Sequence, residues 1–186
     1  MTSARHELLS RHYAENYPET FDPLTEKEYV YCGPHRMNDP LPSSDLTVGE
    51  ALLSPTRTYL PLIKKISEEI GKELKGAVHC SGGGQTKCLR FGTEVKYVKD
   101  NLFSLPPIFS EIQKVSKTSP REMHQVYNMG HRLEAYCNPE CTSQVISIAN
   151  SFGIDAQIIG HTESSNRPDQ ANHVTIRRGE TELTYG

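Results

Sequence analysis

Apolar residues recur at helical spacing in two places along this chain. Leu60, Ile63, Ile66 and Ile70 predict a helix over about 58–70, with Pro61 in its first turn and Gly71 closing it. Val145, Ile148, Ala149 and Phe152 predict another over 141–152, closed by Gly153. Four shorter helices follow from caps and prolines. One runs to about Tyr13 with Thr2 or Ser3 as cap; the others cover 47–53, 107–115 and 120–127. Residues 93–98 alternate polar and apolar, as a strand with one wet face does. Further strands are predicted at 77–80, 131–136, 156–161 and 172–177. Helices and strands alternate loosely, which implies an α+β (layered α/β) domain with helices packed on a mixed sheet.

Residues 17–46 break this rhythm. They are rich in Pro, Asp and Ser, with one β-like patch at Tyr29-Val-Tyr-Cys32. An irregular stretch of this length is either a binding flap or a covering segment. The expected organisation is one domain over 1–178, with 179–186 as a tail.

Composition narrows the function classes. The 186 residues are 35% hydrophobic, contain no Trp and carry a formal charge of −3. That suffices for one core. Acidic and basic residues are mixed, so no basic stripe points to nucleic acid and no polybasic cluster to a membrane surface. No apolar run approaches the length of a bilayer span. The five cysteines are Cys32, Cys80, Cys88, Cys137 and Cys141. Their odd number and a polar start without a signal sequence predict reduced thiols and a cytoplasmic protein. Cys137 and Cys141 have no second pair to complete a zinc site.

The candidate chemistry lies in Gly76-Ala-Val-His-Cys-Ser-Gly-Gly-Gly84 and the segment Gln85-Thr-Lys-Cys-Leu-Arg-Phe91 that follows. A short apolar run leads into three glycines and then a helix-like segment. Such a turn aims backbone N–H groups at one point, which suits an anion such as phosphate. It is neither a Walker A loop nor a dinucleotide fingerprint. A tight structural turn with a close backbone crossing is the competing reading.

Four segments in order resemble the C-terminal half of the phosphoribosylformylglycinamidine cyclo-ligase (aminoimidazole ribonucleotide synthetase) family. They are Leu52-Leu-Ser-Pro-Thr-Arg-Thr-Tyr59, His79-Cys-Ser-Gly-Gly-Gly84, Met123-His-Gln-Val-Tyr-Asn-Met-Gly130 and Ala156-Gln-Ile-Ile-Gly160. Three positions depart from the family pattern. Ser81 stands where Thr is usual, residues 85–90 are more polar, and His131-Arg132 replaces a small, apolar strand start. The 17–46 excursion is also longer than the family usually carries.

The resemblance implies a C-terminal domain whose ATP-binding N-terminal half is missing, so that the chain alone completes no catalytic cycle. It implies ATP and Mg as cofactors, bound mainly by that missing half, formylglycinamidine ribonucleotide as substrate, and a homodimer of the full-length protein. The family reaction closes an imidazole ring after phosphorylation of the formyl oxygen, releasing ADP and phosphate. It needs positioning and charge stabilisation rather than a protein nucleophile. On that basis Ser81, Gly82, Gly83 and Gly84 are the candidate phosphate loop. His79 is a substrate contact or a strand-end histidine. Arg57 is a bidentate anion clamp or a helix-start ion pair. Asn128 is a substrate contact or a turn former. Lys87 and Arg90 stand near the loop and either reach an anion or are solvated surface charges. Two alternatives stay open: a non-catalytic phosphate-ligand or regulatory domain, and a domain of a related ATP-using enzyme.

Overall fold

A computed structural model describes residues 2–186. In chain order its helices are α1 (Thr2–Leu8), α2 (His12–Asn16), α3 (Val48–Leu53), α4 (Leu60–Ile70), α5 (Pro107–Ser116), α6 (Pro120–Val126) and α7 (Thr142–Ser151). The strands are β1 (Leu74–His79), β2 (Val95–Lys99), β3 (Leu133–Cys137), β4 (Gly160–Ser164), β5 (His173–Arg178) and β6 (Thr181–Tyr185). They fall into two compact units.

The first unit comprises the stretch through Thr56 and Leu105–Met123. Helices α1, α3 and α5 pack on one another and bury Ala4, Leu8, Val48, Ala51, Phe109 and Ile112. Thr47 and Glu50 form a reciprocal capping box at the start of α3. The 17–46 excursion is a covering strap in this unit, not a flap. Its backbone satisfies the carbonyls that the end of α1 leaves open: Cys32 N donates to His6 O at 2.8 Å and His35 N to Leu8 O at 3.0 Å. A Cβ on Gly33 would lie 2.2 Å from Glu7 O, so only glycine allows this approach. The β-like patch at 29–32 is therefore not a strand; Lys27–Tyr29 is a 3-10 turn and Tyr31 has φ +47°. The strap also interrupts the first predicted helix. Ser10 N donates to His35 O, and α1 and α2 separate there. Ser3 does not cap α1 but donates to Glu7 one turn on. The alternative cap, the Thr2 side chain, lies outside the described residues.

The second unit, Arg57–Ser104 with His124–Gly186, holds two sheets instead of one. Strands β1 and β3 pair antiparallel, and the other sheet has the order β4-β2-β5-β6. Its central pair β2/β5 is parallel and both outer pairings are antiparallel, so the class is α+β with a mixed sheet. Leu62, Ile66 and Ile70 of α4 pack with Ile148 and Ala149 of α7. The buried stripe of α4 keeps the expected Ile66 and Ile70, but Leu62 takes the inward place expected of Leu60, which is 73% exposed. Phe152 is likewise exposed, beyond the end of α7. Tyr97, Val174, Ile176 and Tyr185 form one face of the four-stranded sheet and pack on Cys88.

Two strand expectations shift. Residues 156–159 make no ladder, because the Ile159 carbonyl accepts from the Asp100 and Asn101 amides and Ile158 O from the Asn101 side chain. Strand β4 starts only at Gly160. The expected tail at 179–186 is instead an edge strand, in which Leu183 and Tyr185 alternate inward to the core.

Candidate functional site

Strand β1 ends at His79, and Ser81–Gly83 turn the chain into the 3-10 helix Gly84–Arg90. The three glycines do different things. Gly84 is buried; its amide donates to Ser81 O at 2.9 Å, and a Cβ there would sit 2.4 Å from Tyr127 O and 2.7 Å from His124 O. Its role is a close backbone crossing at φ +49°. Gly83 takes φ +100° and lets the chain turn. Gly82 is exposed, and a methyl group at its α-carbon would meet nothing within 4 Å. The Gly82 and Gly83 amides find no acceptor among the described residues. Lys87, one helical turn on, reaches back so that Nζ donates to Ser81 Oγ at 2.6 Å. The turn therefore carries a cation, a hydroxyl that also reaches His79 O at 3.4 Å, and two amides without an acceptor among the described residues, donor types suited to an oxyanion.

The remaining candidates divide. Asn128 belongs to a turn that holds the loop: its backbone carbonyl accepts from Gln85 Nε2, and its Oδ1 accepts from Gly130 N at 3.1 Å. The turn-former reading describes what its side chain does here. His79 is exposed at the end of β1 and meets Tyr59 edge-on at 5.7 Å between ring centroids. Arg57 Nη1 donates to Gly153 O at 3.1 Å, and the residue forms no ion pair among the described residues.

Sequence reasoning missed a buried polar cluster joined to the loop. Lys99 is 3% and Glu134 4% exposed, and Lys99 Nζ contacts Glu134 Oε1 at 2.5 Å. The same ammonium donates to Gln85 O at 2.7 Å and to Gln85 Oε1 at 3.3 Å. Gln85 in turn holds the Asn128 turn, so Lys99 ties the glycine helix to that turn. Glu134 also accepts from Tyr136 OH and from Cys80 Sγ, the latter at 3.2 Å. His131 Nε2 lies 3.3 Å from Glu134 Oε1. The signal in the sequence was Lys99, just beyond the alternating 93–98 segment, but a lysine there reads as the exposed end of a strand.

Burial alone would raise the Glu134 carboxyl; His131, the Lys99 charge and the Tyr136 hydroxyl outweigh it and bring it down to about 2. Burial, reinforced by Glu134, pushes the Cys80 thiol far above its ordinary value, and burial brings Cys88 up to about 11. Both thiols are protonated and inert at neutral pH. Burial also raises Tyr136, which stays a hydroxyl donor. No group of three or more His, Cys, Asp or Glu is placed to hold a metal ion among the described residues. Among them also, no helix is long and apolar enough to cross a membrane.

Comparison with known proteins gives consistent results. Residues 35–169 match the family "AIR synthase related protein, C-terminal domain". The chain is 38% identical over 142 residues to a phosphoribosylformylglycinamidine cyclo-ligase of Methanocaldococcus jannaschii, covering 76% of this chain and 40% of that protein. It is 38% identical over 120 residues to the enzyme of the same name from Methanococcus vannielii, covering 64% and 34%. The Methanopyrus kandleri enzyme of that name is 30% identical over 140 residues, covering 75% and 39%. The chain thus spans at most 40% of the length of these relatives.

Proposed function

Because this chain belongs to the family of AIR synthase related protein C-terminal domains, we propose that it is the substrate-side domain of an ATP-dependent cyclo-ligase of purine biosynthesis. The reaction is conversion of formylglycinamidine ribonucleotide to aminoimidazole ribonucleotide with release of ADP and phosphate. The observation that carries this reading is the donor set at the turn, namely the Gly82 and Gly83 amides beside Ser81 Oγ and Lys87 Nζ. In this proposal those groups grip a phosphate of the substrate, and Gly84 holds the turn against the Tyr127 and His124 carbonyls. Arg57 and Asn128 act through the backbone they support, and His79 stands exposed on the strand that enters the loop.

Mg takes oxygen ligands such as carboxylates and usually binds together with the triphosphate, and among the described residues no group of three or more His, Cys, Asp or Glu is placed to hold a metal ion. We assign both to an N-terminal half, as the partner this domain requires for turnover. Homodimerisation and a cytoplasmic location are parts of the same proposal.

Titration with ribose 5-phosphate, followed by amide NMR, tests the loop. The Gly82 and Gly83 signals are expected to shift saturably. Lys87→Met is expected to weaken binding about tenfold, the loss of one charge-assisted contact worth about 1.4 kcal/mol. Unchanged Gly82 and Gly83 signals would sink the assignment. Joining the chain to the N-terminal half of a relative tests the larger claim: ring closure supports the ligase. Phosphate binding without ring closure would make this a regulatory ligand-binding domain.

A further inference from the structure

Strand β4 is one edge of the four-stranded sheet, and its residues His161, Thr162, Glu163 and Ser164 are all exposed. Its register with β2 fixes where its backbone groups point. Val98 stands opposite His161 and Lys96 opposite Glu163. Just beyond the two ends of this ladder, in the same register, Asp100 N donates to Ile159 O at 3.1 Å and Ser165 N to Glu94 O at 2.7 Å. Antiparallel pairs alternate between bonded and unbonded. His161 and Glu163 therefore exchange their bonds with β2, whereas Thr162 and Ser164 turn their N–H and C=O groups away from it. Among the described residues nothing bonds to those outward groups. An open edge of this kind is a template for another strand.

The side chains on this edge select the partner. Two copies of β4 paired antiparallel about Thr162 set His161 of each copy opposite Glu163 of the other. These are the unbonded positions of the new ladder, where facing side chains come closest. An imidazole opposite a carboxylate has an N–H to donate in either protonation state. Glu163 is held on that face of the sheet, since Lys96 Nζ contacts its Oε1 at 2.5 Å. The edge is thus complementary to itself, as a two-fold interface requires. The opposite edge, β6, is not: pairing about Leu183 sets Glu182 opposite Thr184, and Arg177 already holds Glu182.

We propose that β4 pairs antiparallel with β4 of a second copy of this chain, about a two-fold axis at Thr162, so that the two sheets become one. Thr162 exchanges both backbone bonds with Thr162 of the second copy, and Ser164 of each copy lies beside Gly160 of the other. This inference rests on the homodimer reading above and supplies its contact face; it uses neither the phosphate loop nor ring closure. A five-residue contact belongs to the small, transient class of interface.

The test is sedimentation of the whole 186-residue chain, with amide hydrogen exchange, at about 10 μM and about 1 mM. The expected result is a dimer at the higher concentration, with exchange at Thr162 and Ser164 slowed about threefold or more. Thr162→Pro removes the outward N–H and no bond to β2, a place where edge strands accept proline. It is expected to weaken the dimer by at least about tenfold. His161→Glu sets like charges opposite each other and is expected to do the same, while His161→Glu/Glu163→His restores the complement and the dimer. A chain monomeric at both concentrations would overturn the proposal. A dimer that leaves exchange at Thr162 and Ser164 unchanged would overturn this face and leave homodimerisation standing. No ligand enters either measurement, so the outcome is separable from that of the phosphate titration.

Discussion

Lys99→Met is expected to destabilise the chain by about 3 kcal/mol or more, read as a lower urea midpoint. The size follows from what the substitution leaves behind. Glu134 is 4% exposed and loses the ammonium at its Oε1, while Gln85 loses the donor to its backbone and side-chain oxygens. An isolated buried carboxylate has no water to turn to. The double variant Lys99→Met/Glu134→Leu is expected to recover most of the loss, because removing both charges also removes the cost of burying them. A double variant as unstable as the single one would show that Lys99 acts through Gln85 alone.

The pH dependence has a definite sign. The Glu134 carboxyl is held down at about 2 in the folded chain, below its ordinary value of 4.5. Its contribution to stability is therefore complete above about pH 4.5 and is lost as pH falls through 2. Glu134→Gln is expected to flatten that part of the acid-unfolding curve. Identical curves between pH 4.5 and 2 would refute the assignment.

Gly84→Ala is the second large effect. The new methyl would meet the Tyr127 and His124 carbonyl oxygens well inside contact distance, at a φ that L-residues rarely adopt. Overpacking and left-handed strain each cost about 1–3 kcal/mol. A loss of about 3 kcal/mol is expected, which lowers the melting temperature by roughly 6–12 °C in a chain of this size. Gly82→Ala supplies the contrast. Its methyl meets nothing within 4 Å, so stability is expected to change by less than about 0.5 kcal/mol. If both variants melt alike, the division of labour among the glycines is wrong.

What could be read from the sequence was local. Helix ends marked by Pro107, Pro120, Gly71 and Gly153 were legible because proline and glycine act on their own backbone. The triple-glycine turn was legible for the same reason. The partner of each strand was not, since pairing is set by tertiary packing. Hence one predicted sheet is two, and the 179–186 segment is a strand. The strap over α1 was hidden because its hydrogen bonds run to carbonyls twenty or more residues away. Within the site, Ser81 and its glycines stood out, whereas Lys99, Glu134 and His131 did not. Charged residues are assumed to face water until a counter-charge is known; for Lys99 and Glu134 it comes from another strand, while His131 meets Glu134 three residues on in a segment whose burial the sequence did not reveal.

The interlocked Lys99 and Glu134 also constrain descent. Either charge lost alone leaves the other stranded in the interior, while loss of both is tolerable. Single-step mutation thus meets a fitness valley, and a lineage crosses it only when both codons change nearly together. The two positions should accordingly vary as a pair among descendants of this domain, either both ionic or both apolar.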